Sequence, residues 1–207
     1  MGNALSKINS VLHDRLRSLF SGDKEQSLAM IGLDGAGKTT LLFYLQTGEV
    51  HTTVPTLGFN CEVVNVGSLK FVVWDIGGQS TFRRFWKDYV KDKSGIVYMV
   101  DAVDTMRFTS AKEGLWEILK GLERSSMPPV LVFANKIDLI KTEEGRKMAV
   151  SSIYNALELK EYSGASCVVP ISVYEANSVA NEDNRRRIVE AFEWLNKELK
   201  HVEADAY

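Results

Sequence analysis

The 207 residues include 25 basic and 27 acidic side chains, for a formal net charge of −2, and 45% of them are hydrophobic. That length and apolar content suit one buried core, and the even balance of charge gives no electrostatic case for nucleic acid as a partner. Cys61 and Cys167 fall in separate strand-like runs with no CxxC or Cys/His neighbourhood, so they read as core thiols in a reducing compartment.

No stretch has transmembrane length, and the first twenty residues lack the continuous apolar block of a signal peptide. The expected location is the cytoplasm or a cytosolic membrane face. Residues 1–22 carry apolar side chains at Leu5, Ile8, Leu12, Leu16 and Leu19, with Lys7, His13, Asp14, Arg15 and Arg17 between them. This spacing predicts an amphipathic helix. The opening Met1-Gly2-Asn3-Ala4-Leu5-Ser6 fits the N-myristoylation pattern with Gly2 as acceptor. One acyl chain binds membrane only marginally, with K of about 10⁴ M⁻¹, and the helix behind it supplies a second hydrophobic element. The ending Asp205-Ala206-Tyr207 offers no cysteine for a prenyl group.

Residues 23–207 read as one α/β domain. Apolar runs predict strands at 28–31, 59–66, 69–74, 95–100, 129–134 and 167–171. Helical periodicity marks 38–46, then Ala111 to Leu122, then Met148, Ile153 and Leu157, and last Ile188, Phe192, Leu195 and Leu199. Gly67-Ser68 is short enough only for a hairpin, so 59–66 and 69–74 are antiparallel. The expected architecture is a mostly parallel six-stranded sheet with one antiparallel edge strand and helices on both faces. Ligands then sit beyond the carboxyl ends of the strands.

Three motifs fall at those ends. Gly32-Leu33-Asp34-Gly35-Ala36-Gly37-Lys38-Thr39 follows the first strand and opens the first core helix. Its glycines and Ala36 let successive backbone N–H groups face one phosphate, to which the helix adds the positive end of its dipole. Lys38 can reach the outer phosphates and Thr39 can ligate Mg2+. Asp75-Ile76-Gly77-Gly78-Gln79 follows the third strand. Its carboxylate can hold Mg2+ directly or through water, the Gly78 N–H can approach a terminal phosphate, and Gln79 can orient an attacking water. Asn135-Lys136-Ile137-Asp138 follows the fifth strand. Asp138 can accept two hydrogen bonds side by side, which suits the N1–H and exocyclic amine of guanine and not adenine.

Together with Thr53-Val54-Pro55-Thr56-Leu57-Gly58-Phe59-Asn60 and Trp74, these motifs are similar in order and spacing to the Arf family of small GTPases over nearly the whole chain. The Gly2 signal and N-terminal helix strengthen the resemblance. It implies GTP and GDP as ligands with Mg2+, held by Asp34, Gly35, Ala36, Gly37, Lys38, Thr39, Thr40, Thr56, Gly78, Asn135, Lys136, Asp138, Ser172 and Val173. Thr39 and Thr56 would hold the metal, with Asp75 behind a metal-bound water, and Gln79 would position the hydrolytic water. Hydrolysis would be slow until an activating protein supplies an arginine.

The resemblance also implies an effector surface at Phe59, Trp74 and Tyr89 and an apolar switch surface at Phe82, Phe85 and Trp86, although each aromatic has a competing reading as core. Further implied are an exchange factor, effectors or coat proteins, a monomeric state, and reversible attachment to an internal membrane such as the Golgi in vesicle-mediated protein transport. In the GDP form the hairpin between the switches is withdrawn and the N-terminal helix covers its place. GTP slides the hairpin and expels the helix. A slide by an even number of residues keeps every side chain on its face.

Three features depart from the family pattern. At the guanine site the last strand continues as Ile171-Ser172-Val173-Tyr174, where a small residue is usual after Ser. Residues 175–187 read as a charged surface insertion, with Arg185-Arg186-Arg187 as a solvated helix start. Arg83-Arg84-Phe85-Trp86-Lys87 is similar to the Sar branch, whereas Gln79 and Gly2 favour Arf or an Arf-like protein. The alternatives are a Sar-type coat-recruiting GTPase, a small-molecule kinase, against which the Asn135 motif and the absence of an arginine-rich lid both count, and a non-cycling GTP-binding adaptor.

Overall fold

The computed structural model describes residues 14, 18, 26–50, 59–66, 69–76, 90–91, 93–122, 127–177 and 181–205. Asp14 and Ser18 are helical, as the amphipathic pattern predicts. The rest of that segment, Gly2 included, lies outside the described residues.

Six strands form one sheet: β1 Gln26–Gly32, β2 Phe59–Val66, β3 Leu69–Ile76, β4 Gly95–Asp101, β5 Val130–Asn135 and β6 Ser166–Pro170. Their order is β2-β3-β1-β4-β5-β6. Only β2 and β3 pair antiparallel, from Phe59 opposite Ile76 to Val66 opposite Leu69, and the remaining neighbours are parallel. The antiparallel strand β2 is therefore at an edge, as expected. β1 is flanked by β3 on one side and β4 on the other, so the chain reverses its direction of travel across the sheet there. In such sheets the crevice at the carboxyl end of that strand is where ligands bind.

Alternation along the central strands explains why they read as unbroken apolar runs. Leu28 and Met30 of β1, Val97 and Met99 of β4, and Leu131 and Phe133 of β5 join one buried cluster. Ala29, Ile31, Ile96, Tyr98, Val130 and Val132 join another. Since a strand sends successive side chains to opposite faces, the two clusters are the two covered faces of the sheet. Helices α1 Lys38–Thr47 and α4 Glu182–Asp205 cover the first face. Helices α2 Phe108–Leu119 and α3 Glu143–Ala156 cover the second.

On α4, Ile188, Phe192, Leu195 and Leu199 are all buried, as their helical spacing predicts. The Phe192 ring meets Phe133 of β5 at a centroid distance of 5.7 Å, tilted by 60°. Burying each such side chain contributes about 1.5–3 kcal/mol. The stripe on α3 differs from expectation. Met148 is 63% exposed, and the inward positions are Ala149, Ile153 and Ala156, with Leu157 just beyond the helix. Met148 lies five residues from Ile153, which puts it on the opposite side of a 3.6-residue turn.

Candidate nucleotide site

The loop between β1 and α1 is shaped by glycine at two close approaches. At Gly32, with φ of 149°, a Cβ would lie 2.3 Å from the Met99 carbonyl oxygen of β4. At Gly37, with φ of 98°, it would lie 2.3 Å from Asn135 Nδ2. Both positions therefore need glycine for space as well as for backbone conformation. Gly37 supplies no side-chain cap to α1, and the first turn of that helix has no acidic residue to oppose its positive end. Lys38, the first residue of α1, is 2% exposed. Its Nζ donates to the Gly32 and Leu33 carbonyls, each at 2.9 Å. The ammonium is thus arched back over the loop, and Thr39 and Thr40 follow in the same helical turn.

Asn135, at the end of β5, connects this loop to a second one. Its Nδ2 donates to the Ala36 carbonyl at 2.8 Å, and its Oδ1 accepts the Val173 N–H at 3.0 Å. Both loop ends stay at fixed separation as long as this buried amide is satisfied on both sides. The Val173 side chain is buried in the core, so the residue that departs from the family pattern turns its side chain inward and not out of the loop.

Lys136 and Asp138 follow in the turn after β5. Lys136 is in the left-handed region at φ 66°, and its Nζ pairs with Asp101 Oδ2 at 2.7 Å. A non-glycine residue there stores strain of order 1–3 kcal/mol, a cost that clusters at binding sites. Asp138 Oδ1 is a buried side-chain oxygen with no hydrogen-bond partner among the described residues. A buried carboxylate oxygen left without a donor is costly, and a ligand carrying an N–H at this point would satisfy it.

The loop 171–173 is not a continuation of the last strand, as the sequence had implied. β6 stops at Pro170, the Ile171 N–H makes one further bond to the Ala134 carbonyl of β5 at 2.9 Å, and a 3-10 turn, Tyr174–Asn177, follows. Ser172 is gripped by Asn184 of α4, which donates from Nδ2 to the Ser172 carbonyl at 2.7 Å and accepts the Ser172 N–H at Oδ1 at 2.8 Å. Ser172 Oγ in turn accepts the Glu175 N–H at 3.1 Å. The expected solvated start of the helix is corrected accordingly. Asn184 and Arg185 are both buried, and Arg185 Nη1 donates to the Ala176 carbonyl at 3.4 Å, while Arg186 is exposed and pairs with Asp183 and Glu190. Asn181 begins the helix by accepting the Asn184 N–H at 3.2 Å, and Asn184 ties the start of the helix to the loop 171–173. Sequence reading missed Asn184 because a lone Asn in a charged run has no distinguishing spacing.

Asp75 is the penultimate residue of β3. The parallel register pairs Met30 with Val73, and two residues further along it sets Asp75 level with Gly32. The backbone thus delivers Asp75 to the phosphate loop. Phe59 and Trp74 lie on β2 and β3 of the same hairpin, with Phe59 opposite Ile76 and Cys61 opposite Trp74. Gly2, Thr56, Gly78, Gln79, Phe82, Phe85, Trp86 and Tyr89 lie outside the described residues.

A family model described as the ADP-ribosylation factor family, Arf, matches residues 12–199. The chain belongs to the Arf family. It is 59% identical to an ADP-ribosylation factor of Encephalitozoon cuniculi over 98% of this chain and 97% of that one. It is 37% identical to ADP-ribosylation factor 1 of Brassica rapa subsp. pekinensis over 92% of this chain and 97% of the other. Among solved structures it is similar to an ADP-ribosylation factor-like GTP-binding protein, the small COPII coat GTPase SAR1 of Encephalitozoon cuniculi in complex with GDP. That similarity has a TM-score of 0.76 and 28% identity, covering 98% of this chain and 92% of that one. The higher identity to an ADP-ribosylation factor favours the Arf reading over the Sar one. Membership makes this chain a GTPase switch, with exchange factors, activating proteins and effectors as its classes of partner. Among the described residues, no helix is long and apolar enough to cross a membrane.

Proposed function

We propose that this Arf-family GTPase couples its GTP state to attachment at an internal membrane, such as the Golgi, where it recruits effectors or coat proteins for vesicle-mediated protein transport. In this reading residues 1–22 are a myristoylated amphipathic anchor with Gly2 as acceptor, and residues 23–207 are the GTPase domain. The observation that carries the nucleotide half is Asp138 Oδ1, buried and without a partner among the described residues, three residues after Asn135 of the bridge. Guanine offers the N–H pair that such a carboxylate accepts.

Lys38, at the mouth of α1, holds the outer phosphates, and the backbone from Gly35 to Thr40 surrounds them. Thr39, in the first turn of α1, and Asp75, near the end of β3 and level with Gly32 in the register, are of the residue types that hold Mg2+ through a hydroxyl and a carboxylate, which would leave the other positions to phosphate oxygens and water. When bound, the ion neutralises charge developing between the outer phosphates. Thr56 and Gly78 complete the site from the two switches, and Gln79 orients the attacking water. The aromatic surface from Phe59 to Tyr89 is the effector face. Its hairpin is joined to the sheet through β3 alone, so a slide along β1 by two residues changes one ladder and leaves every side chain on its face.

The test is co-sedimentation of the acylated full chain with anionic liposomes, loaded with GDP or a non-hydrolysable GTP analogue, with Gly2→Ala as control. Pelleting that needs both the GTP analogue and Gly2 is the expected result. Equal pelleting in both nucleotide states would remove the membrane switch.

A further inference from the structure

The candidate motifs leave one charged group at the phosphate loop unaccounted for. Arg107 ends the 3-10 turn Thr105–Arg107 that follows β4. Its Nη1 lies 3.1 Å from Asp34 Oδ1, and its Nε lies 2.5 Å from Asp104 Oδ2. A Cβ added at Gly35 would come within 3.9 Å of Arg107 Nη2, so the guanidinium rests against the tip of the loop. The hydrogen bond that Arg107 donates to the Asp104 carboxylate, followed by the charges of Asp34 and Asp104, holds the Arg107 pKa above its ordinary value. One planar cation thus joins two carboxylates, of which only Asp34 belongs to the loop.

Asp34 stands close to where an outer phosphate would bind. Lys38 Nζ is 2.9 Å from the Leu33 carbonyl oxygen, and that carbonyl carbon is bonded to the Asp34 nitrogen. Covalent geometry therefore sets the Asp34 backbone within about 5 Å of the ammonium. A bare carboxylate there would repel a triphosphate more than a diphosphate, because the terminal phosphate adds negative charge at this end of the loop. Asp104 holds the guanidinium in place from its own turn, so the pairing costs little further ordering.

We propose that Arg107 is a positioning residue that neutralises Asp34 and so sets the preference of the loop for nucleoside triphosphate over diphosphate. This rests on the guanine-nucleotide reading above. The Arg107 and Asp34 side chains are 38% and 47% exposed, so solvent screens the pair and the effect is modest, about three- to fivefold.

The experiment is equilibrium titration of the full chain, as wild type, Arg107→Ala, Arg107→Lys, Asp34→Asn and Asp34→Asn with Arg107→Ala, with GDP and with a non-hydrolysable GTP analogue. Arg107→Ala is expected to weaken the triphosphate about three- to fivefold more than GDP. Arg107→Lys should keep most of the preference. In the Asp34→Asn background, Arg107→Ala should change the ratio no further. If Arg107→Ala does not fold, Arg107→Gln takes its place with the same expectation. Equal weakening of both nucleotides, or a ratio change that persists without the Asp34 charge, overturns the proposal. Failure of the wild type to bind either nucleotide instead overturns the guanine reading on which it rests.

Discussion

Asn184 takes both backbone polar groups of Ser172, donating to its carbonyl and accepting its N–H, from a helix twelve residues further along the chain. Both residues are buried, so deleting the amide leaves a donor and an acceptor unsatisfied. Each such loss costs about 1–3 kcal/mol. Asn184→Ala should therefore lower stability by roughly 2–4 kcal/mol in urea unfolding and speed guanine-nucleotide release, because the loop beside Asp138 loses its anchor. Asn184→Asp, which keeps the acceptor and loses the donor, should fall between wild type and Ala.

In the proposed reading Asp138 selects the base. Asp138→Asn replaces one acceptor by a donor, which no longer matches the two donors of guanine and instead suits xanthine, whose C2 carries a carbonyl. Loss of charged hydrogen bonds worth about 1.5–3 kcal/mol predicts GDP affinity falling roughly 10- to 150-fold. Competition with xanthosine diphosphate checks it: the variant should prefer the xanthine nucleotide where the wild type prefers GDP.

Two glycines of the loop should respond differently to alanine. Gly37→Ala has to place its Cβ at the Asn135 amide while holding a positive φ, so a destabilisation of roughly 2–4 kcal/mol and loss of nucleotide binding are expected. Gly35→Ala carries the backbone strain alone, as among the described residues its Cβ meets nothing closer than Arg107 Nη2 at 3.9 Å. Its cost should be about 1–2 kcal/mol. Thermal unfolding of the two variants side by side measures the difference.

Cys167 predicts an alkaline limit to stability. Burial first, and the Glu198 carboxylate second, push its thiol up from 9.0 to about 12. Below pH 9 both folded and unfolded chains keep the proton, so this contribution is fully present. Above it the unfolded chain releases the proton first, and stability is lost as pH rises from 9 towards 12. Burial raises Tyr44 and Tyr162 in the same direction. Urea midpoints at pH 7.5, 9 and 10 should fall progressively, with a shallower decline in Cys167→Ala. Labelling of Cys167 in the native protein by a thiol reagent at pH 8 should be slow.

The parts of this protein that were legible in sequence are those whose physics is local. Six apolar strands, four periodic helices and the loops at 32–39 and 135–138 declare themselves through spacing within a dozen residues, and the described residues bear out the sheet with its antiparallel edge strand. What was not legible depends on pairs far apart in the chain. Asp34 and Arg107 are 73 residues apart, and Asn135 and Ala36 are 99 apart. Neither Arg107 nor Asn184 has a neighbour pattern that separates it from an ordinary surface residue. Met148 misled for the opposite reason: an apolar side chain near a helical stripe need not be on it.

The most direct measurement is competition for a fluorescent guanine diphosphate analogue on the full-length wild type, with GDP and ADP as competitors in the presence of Mg2+. The carboxylate at Asp138 and the bridge at Asn135 predict that GDP displaces the probe near equimolar concentration, while ADP fails at a thousandfold excess. Displacement by ADP at concentrations comparable to GDP would contradict the assignment of the loop after β5 as a guanine site, and the switch built on it.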